Sequence, residues 1–243
     1  MMKHRRALLT ALFTATFVVS PLLTEPFSGF RPDQLPIPQV DPPVQPAGWA
    51  FSIWGLIYSW LILSAVYGLW KRPADGDWNT AREPLLLCLG LGSFWLWTAN
   101  NSAIGATVMI FVMAALAIAA TAAAPARDRW FLRAPVSILA GWLTAASFVS
   151  LGSTAAGYGV LAGSVGWAWI GILGALVTGV TVQRLIPTAP GYGLTLVWAL
   201  TGIIAANLGR EMSVAGLAAG GIVVVLAVVG WGLRQRRDTG AAV

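Results

Sequence analysis

Trp54 and Tyr58 stand four residues apart, Trp97 is followed at the same interval by Asn101, and Trp142 by Ala146 and then Ser150. On a helix that spacing puts each set on one face, since residues i and i+4 lie one above the other. Asn100, at i+3 from Trp97, is close to the same face. Aromatic walls carrying a few amides and hydroxyls suit a flat, largely apolar ligand held by stacking and a small number of hydrogen bonds. Bundle packing with Trp as filler fits the same spacing, and at this level both readings stand.

Other chemistries find little material. The chain has one His and one Cys, His4 in a basic tail and Cys88 in an apolar run, so no Cys/His metal cluster and no intrachain disulfide can form, and no cofactor is called for. Carboxylates occur near Arg210 as Glu211 and in the pair Asp75 and Asp77, where solvated or interfacial charge is the expectation. No enzyme is expected. A membrane-bound enzyme acting on a lipid or isoprenoid would need Asp33, Asp41 and Glu211 to converge within about 10 Å, the range of paired catalytic carboxylates. A small-molecule permease is the other alternative, but no charge within the apolar runs is placed to couple transport to protons.

The elements that position the aromatic residues follow from composition. Of 243 residues 57% are hydrophobic and 10% charged, and the mean hydropathy is +0.74, too little polar surface to cover a soluble domain. Eight apolar runs are long enough to cross a bilayer, at 7–23, 49–70, 84–98, 102–124, 131–151, 159–182, 191–208 and 212–233, with charges only at their ends. With the N-terminus in the cytoplasm, the inner segments hold Lys3, Arg5 and Arg6; Lys71, Arg72 and Arg82; Arg127, Arg129 and Arg133; Arg184; and Arg234, Arg236 and Arg237. The outer segments hold only Arg31 and Arg210. That asymmetry agrees with eight spans and both termini inside, and it assigns the net charge of +6 to topology, not to nucleic acid. The first run is read as an uncleaved helix, because Ser-Pro-Leu-Leu-Thr-Glu-Pro after Val19 offers no proline-free small-x-small cleavage site.

One outer segment is long. Residues 24–48 include seven prolines, which favours extended, semi-rigid backbone, excludes helix and makes a candidate lid. The inner segment 71–83 reads as an ordinary polar loop. Glycine and serine pairs at helical spacing, Gly216 with Gly220, Ser64 with Gly68 and Gly159 with Gly163, are expected to bring helices close. The 13 Trp divide into span-end anchors, Trp49, Trp70, Trp78, Trp130 and Trp231, and an internal set, Trp54, Trp60, Trp95, Trp97, Trp142, Trp167, Trp169 and Trp198.

The run from Pro46 to Tyr58, with Phe51, Trp54 and Tyr58 after a proline-rich first loop, resembles the tryptophan-rich sensory protein family, relatives of the translocator protein or peripheral benzodiazepine receptor. Phe94-Trp95-Leu96-Trp97 is similar to that family's aromatic third helix, and the Pro135-led run with Trp142 and Ala146 to its fifth. Three departures stand out. The Phe-to-Trp spacing is one residue shorter than in compact members, Gly92 and Ser150 occupy positions that carry Asn there, and three helices follow the usual five.

The resemblance implies an all-α polytopic membrane protein of about eight transmembrane helices. Residues 1–155 would form a five-helix region, with the lid at 24–48, and 156–243 three more helices with a basic tail. It also implies a multi-pass protein of the bacterial inner membrane, with cytoplasmic termini and a homodimer as a candidate assembly. The implied activity is non-enzymatic binding, sensing or translocation of a tetrapyrrole such as haem or protoporphyrin, or of a sterol-like lipid. Trp54, Tyr58, Trp95, Trp97, Trp142 and Ala146 are the ligand contacts so implied, with Asn100, Asn101 and Ser150 as polar candidates beside them.

Overall fold

The computed structural model describes the backbone of residues 2–27 and 29–240, with side chains from His4 to Gln235 apart from residue 28. Lys3, Arg236 and Arg237, three of the basic residues expected on the inner side, therefore have side chains outside the described set. The described chain is helical: α1 (Met2–Val19), α2 (Ile53–Lys71), α3 (Gly76–Asn101), α4 (Ala103–Ala123), α5 (Arg133–Gly157), α6 (Ser164–Leu185), α7 (Pro190–Asn207) and α8 (Met212–Gly240). Five are long and apolar enough to cross a membrane: α2 with the 3-10 turn that leads into it, α4, α5, α6 and α8. The other three are more polar at an end. α1 opens on Lys3, His4, Arg5 and Arg6, α3 carries Asp77, Arg82 and Glu83 in its first turns, and α7 runs from Pro190 to Asn207 in 18 residues.

α3 corrects the expectation of a polar loop at 71–83. It starts eight residues before Pro84, where Asp75 caps it by accepting a hydrogen bond from the Trp78 amide at 3.2 Å. Ser102 ends α3 in extended conformation and starts α4, its hydroxyl accepting from the Gly105 amide at 3.1 Å. A single residue thus reverses the chain between two helices that pack along one another.

α5 is the central element, packed by α4, α6, α7 and α2, and most of its residues are buried. Small residues make this approach possible: a Cβ at Gly141 would strike the Tyr192 carbonyl, and one at Gly157 would stand 2.7 Å from Leu35. Its polar residues are satisfied across helices. Thr107 of α4 bonds Ser150 at 2.7 Å and Thr154 at 2.9 Å, and Tyr192 of α7 donates to Thr144 at 3.0 Å. One core joins residues of α2–α5 to Val182, Tyr192, Leu196, Ala199, Val225 and Val229, so the last three helices share the interior of the first five.

Of the small-residue pairs, Ser64 is buried and Gly68 lies against Trp78 and Arg82, as a packing role requires. Gly216 and Gly220 meet nothing within 4 Å among the described residues, and Gly159 and Gly163 fall in the turn before α6, Gly159 at φ +66. Those two pairs therefore do not hold helices together within the chain.

The proline-rich segment lies across the end of the bundle where α1, α3, α5 and α7 finish. It is not wholly extended, since Pro32–Gln34 forms a 3-10 turn and Gly48–Ser52 another. Prolines remove amide donors, so the segment is tied down largely through its carbonyls and by neighbouring side chains. Asn100 donates to the Glu25 carbonyl at 3.1 Å and Asn207 to the Pro43 carbonyl at 2.8 Å. Gln34 donates to the Ala99 carbonyl at 2.9 Å. The Ile37 and Ala47 amides reach the carbonyls of Gly157 and Gly202. Val44 is buried among Ala168, Ile172, Leu200, Ile203 and Val214, a burial that contributes about 1.5–3 kcal/mol.

Candidate ligand cavity

Beneath that segment is a cavity of about 230 Å³. α1 supplies Phe17, α2 Trp54 and Tyr58, α3 Trp95, α4 Met113 and α5 Trp142, while Phe27, Phe30, Gln45 and Pro46 of the segment form its roof. Trp54 and Tyr58 stack at 5.1 Å with planes 23° apart, as their spacing on one helix face requires. Phe17 meets both edge-on, at 5.9 and 5.4 Å, and Trp142 stands edge-on to Trp54 at 6.2 Å and to Phe51 at 5.7 Å. On the other side Phe27 lies edge-on to Trp95 at 5.1 Å, and the Trp95 indole donates to the Ala106 carbonyl at 3.0 Å, which fixes that ring. The indole N–H groups of Trp54 and Trp142 have no acceptor among the described residues, so a ligand acceptor there would meet uncommitted donors. Glu25, at the rim, is the one charged residue among the described lining.

Of the residues singled out in the sequence, Trp54, Tyr58, Trp95, Trp142, Ala146 and Ser150 come together in this wall. Trp97, Asn100 and Asn101 do not. Positions two apart on a helix point about 200° from one another, so Trp95 facing inward turns Trp97 outward, and it is 63% exposed. Asn101 folds back onto the Trp97 carbonyl at 2.7 Å, and Asn100 holds the roof through Glu25. Phe17, Phe27 and Met113 were not legible as wall residues, because each lies in an ordinary apolar run or in a loop, with no polar partner at helical spacing to mark it. Gly92 explains one departure from the family pattern: a side chain there would enter the space of the Phe17 ring.

Three of the other internal Trp residues have structural partners, while Trp169 is exposed. Trp60 donates to the Trp130 carbonyl at 2.7 Å, Trp167 to the Val160 carbonyl at 2.5 Å, and Trp198 to the Ala50 carbonyl at 2.8 Å. Trp49, Trp70, Trp130 and Trp231 are exposed at helix ends, as anchors are. Trp78 is not an anchor, being only 1% exposed and donating to Asp128 at 3.0 Å.

That bond belongs to a polar node at the opposite end of the bundle. Asp128, in the turn between α4 and α5 at φ +56, also accepts from Arg72 at 2.7 and 3.2 Å and from Tyr67 at 3.0 Å. These donors, the Arg72 guanidinium above all, hold its carboxyl at about 2. Asp75 and Asp77 both pair with Arg127, at 2.5 and 3.1 Å. Asp75 is only 15% exposed and Asp77 67%, so Asp77 is the solvated member and Asp75 is held in the ion pair at the helix end. Arg82 is buried, donating to the Arg72 and Gly68 carbonyls and to Asn79, and burial lowers its pKa to about 10. Among the described residues no group of His, Cys, Asp and Glu is arranged to hold a metal ion.

The family model described as TSPO-like protein matches residues 7–231, nearly the whole chain and well past the fifth helix. No curated protein and no solved structure matches it.

Proposed function

Since the chain belongs to the TSPO-like family, we propose that this multi-pass membrane protein binds a flat apolar ligand, a tetrapyrrole or a sterol-like lipid, without catalysing its conversion. The observation that carries the reading is the aromatic box: the Trp54–Tyr58 stack, closed edge-on by Phe17 and Trp142, under a roof of loop residues. Flat rings gain most from such offset and edge-to-face surfaces, and the uncommitted indole donors can orient one. At about 230 Å³ the cavity is a little below the range of roughly 300–1,000 Å³ usual for ligand pockets, so a tetrapyrrole enters by lifting part of the roof.

In this reading all eight helices cross the bacterial inner membrane and both termini face the cytoplasm. Support comes from the basic side chains gathered at one end: Arg6 pairs with Glu83 there, Arg72 with Asp128, and Arg127 with Asp75.

The test is a titration of the purified protein in nanodiscs with protoporphyrin IX and with haemin, following Trp fluorescence against free-indole controls. Saturable quenching that weakens at least tenfold when Trp54 and Trp142 are both changed to Leu supports the site. Unsaturable quenching, or quenching indifferent to the two changes, overturns it.

A further inference from the structure

A second cavity, of about 350 Å³, opens on the other side of the same roof. Phe27, Gln45, Pro46 and Phe51 line both spaces, so four side chains separate an inner aromatic chamber from an outer vestibule. The two differ in chemistry. The vestibule is walled by the loop stretch from Asp41 to Gly48, by Ala206 at the end of α7 and by Arg210 in the turn to α8.

Among the described residues, Arg210 is one of two basic residues at this end of the bundle, and the other is already engaged. Arg31 lies 3.1 Å from Asp33 and 3.7 Å from Glu25. Arg210 makes no ion pair among the described residues and donates only to the Asp41 carbonyl, at a long 3.4 Å. Glu25, which lines the inner chamber and not the vestibule, disfavours an anionic group within that chamber. Asp41 also lines the vestibule and opposes an anion there, but it is not paired with Arg210.

We propose that the ligand is an amphipathic anion, its apolar body in the aromatic chamber and a carboxylate or phosphate-type group in the vestibule on Arg210. This rests on the proposed binding function and names the polar end of the ligand. A guanidinium matches such a group with two parallel N–H donors, and a charge-assisted bond of that kind corresponds to about tenfold or more in affinity.

The experiment compares protoporphyrin IX, a dicarboxylate, with its dimethyl ester, in nanodiscs of phosphatidylcholine alone. Wild type is expected to bind the acid about tenfold more tightly than the ester. Arg210→Gln should remove that preference by weakening the acid about tenfold, Arg210→Lys should restore part of it, and Asp41→Asn should widen it. Equal binding of acid and ester by wild type, or a preference that survives in Arg210→Gln, overturns the vestibule assignment while leaving the chamber. Failure of both compounds to bind overturns the binding function itself. Adding phosphatidylglycerol separates two sources of the same anion. A lipid headgroup resident on Arg210 shrinks the acid's preference in wild type alone, whereas a preference that stands assigns the site to the free ligand.

Discussion

The ring of Phe17 fills the space that a side chain at position 92 would need: a Cβ on Gly92 would stand 2.5 Å from Phe17 Cε2 and 3.1 Å from the Met113 methyl. An aromatic residue of α1 therefore occupies, inside the cavity wall, the volume that α3 leaves open. Gly92→Asn is expected to destabilise the protein by about 1–3 kcal/mol, the usual cost of overpacking. Phe17→Ala carries its own cost as a buried ring lost, but in that background Gly92→Asn should cost little more, because the contested volume is vacant. Thermal unfolding of the two single variants and the double variant checks this, and additive losses would refute the shared-volume account.

The outward turn of Trp97 separates two residues that look equivalent in the sequence. Trp97→Leu should leave protoporphyrin affinity within about twofold of wild type, since its ring is on the exposed face of α3. Trp95→Leu removes a wall ring and its bond to the Ala106 carbonyl and should weaken binding about tenfold. Quenching titrations of both variants discriminate, and equal effects would mean that the wall is assigned to the wrong face.

Much of this arrangement was legible beforehand, for identifiable reasons. That Trp54 and Tyr58 share a face follows from helical spacing alone, as does the stripe of Trp142, Ala146 and Ser150 on α5. What stayed hidden depended on contacts far apart in sequence. Nothing local marks Asp128 as the acceptor for Arg72, Tyr67 and Trp78, and the charges of 71–83 concealed a helix start because a capping Asp75 resembles any loop carboxylate. Asn100 has the right type for a ligand contact, but its partner is a loop carbonyl that periodicity cannot locate.

The Asp128 node sets an acid limit on stability. Its carboxyl titrates at about 2 in the folded protein against 3.8 for the ordinary group, so the folded state binds fewer protons between those values. The contribution is complete above about pH 4 and is lost as pH falls through about 2. Asp128→Asn keeps a residue that tolerates the left-handed backbone at φ +56 and removes the charge. Wild type should unfold at a higher temperature than this variant at pH 5, and the gap should close toward pH 2. A gap constant across that range would remove the charge from the explanation.

The roof is anchored unequally, and one side chain tests it. Asn207 satisfies the Pro43 carbonyl at 2.8 Å and the Ile203 carbonyl of its own helix. Asn207→Leu leaves the loop carbonyl without its partner, a loss of about 1–3 kcal/mol if no water replaces it. Faster hydrogen exchange at the Gln45 and Ala47 amides is expected, with the α2 interior unchanged. Unchanged exchange in the loop would show that Val44, buried beneath it, holds the roof without help.

Gly141 of α5 lies against the Tyr192 carbonyl of α7, beside Trp142 of the cavity wall, and Thr144 one turn on receives the Tyr192 hydroxyl. A ribosome delivers these helices in order, so α5 enters the bilayer while its covering partner is still unmade. Until α7 arrives, the Thr144 face of α5 is open to lipid, with only its own Ala140 carbonyl as a hydrogen-bond partner. The aromatic chamber is therefore a late product of biogenesis: its central wall takes its final support only after the chain has been translated well beyond the residues that line most of it.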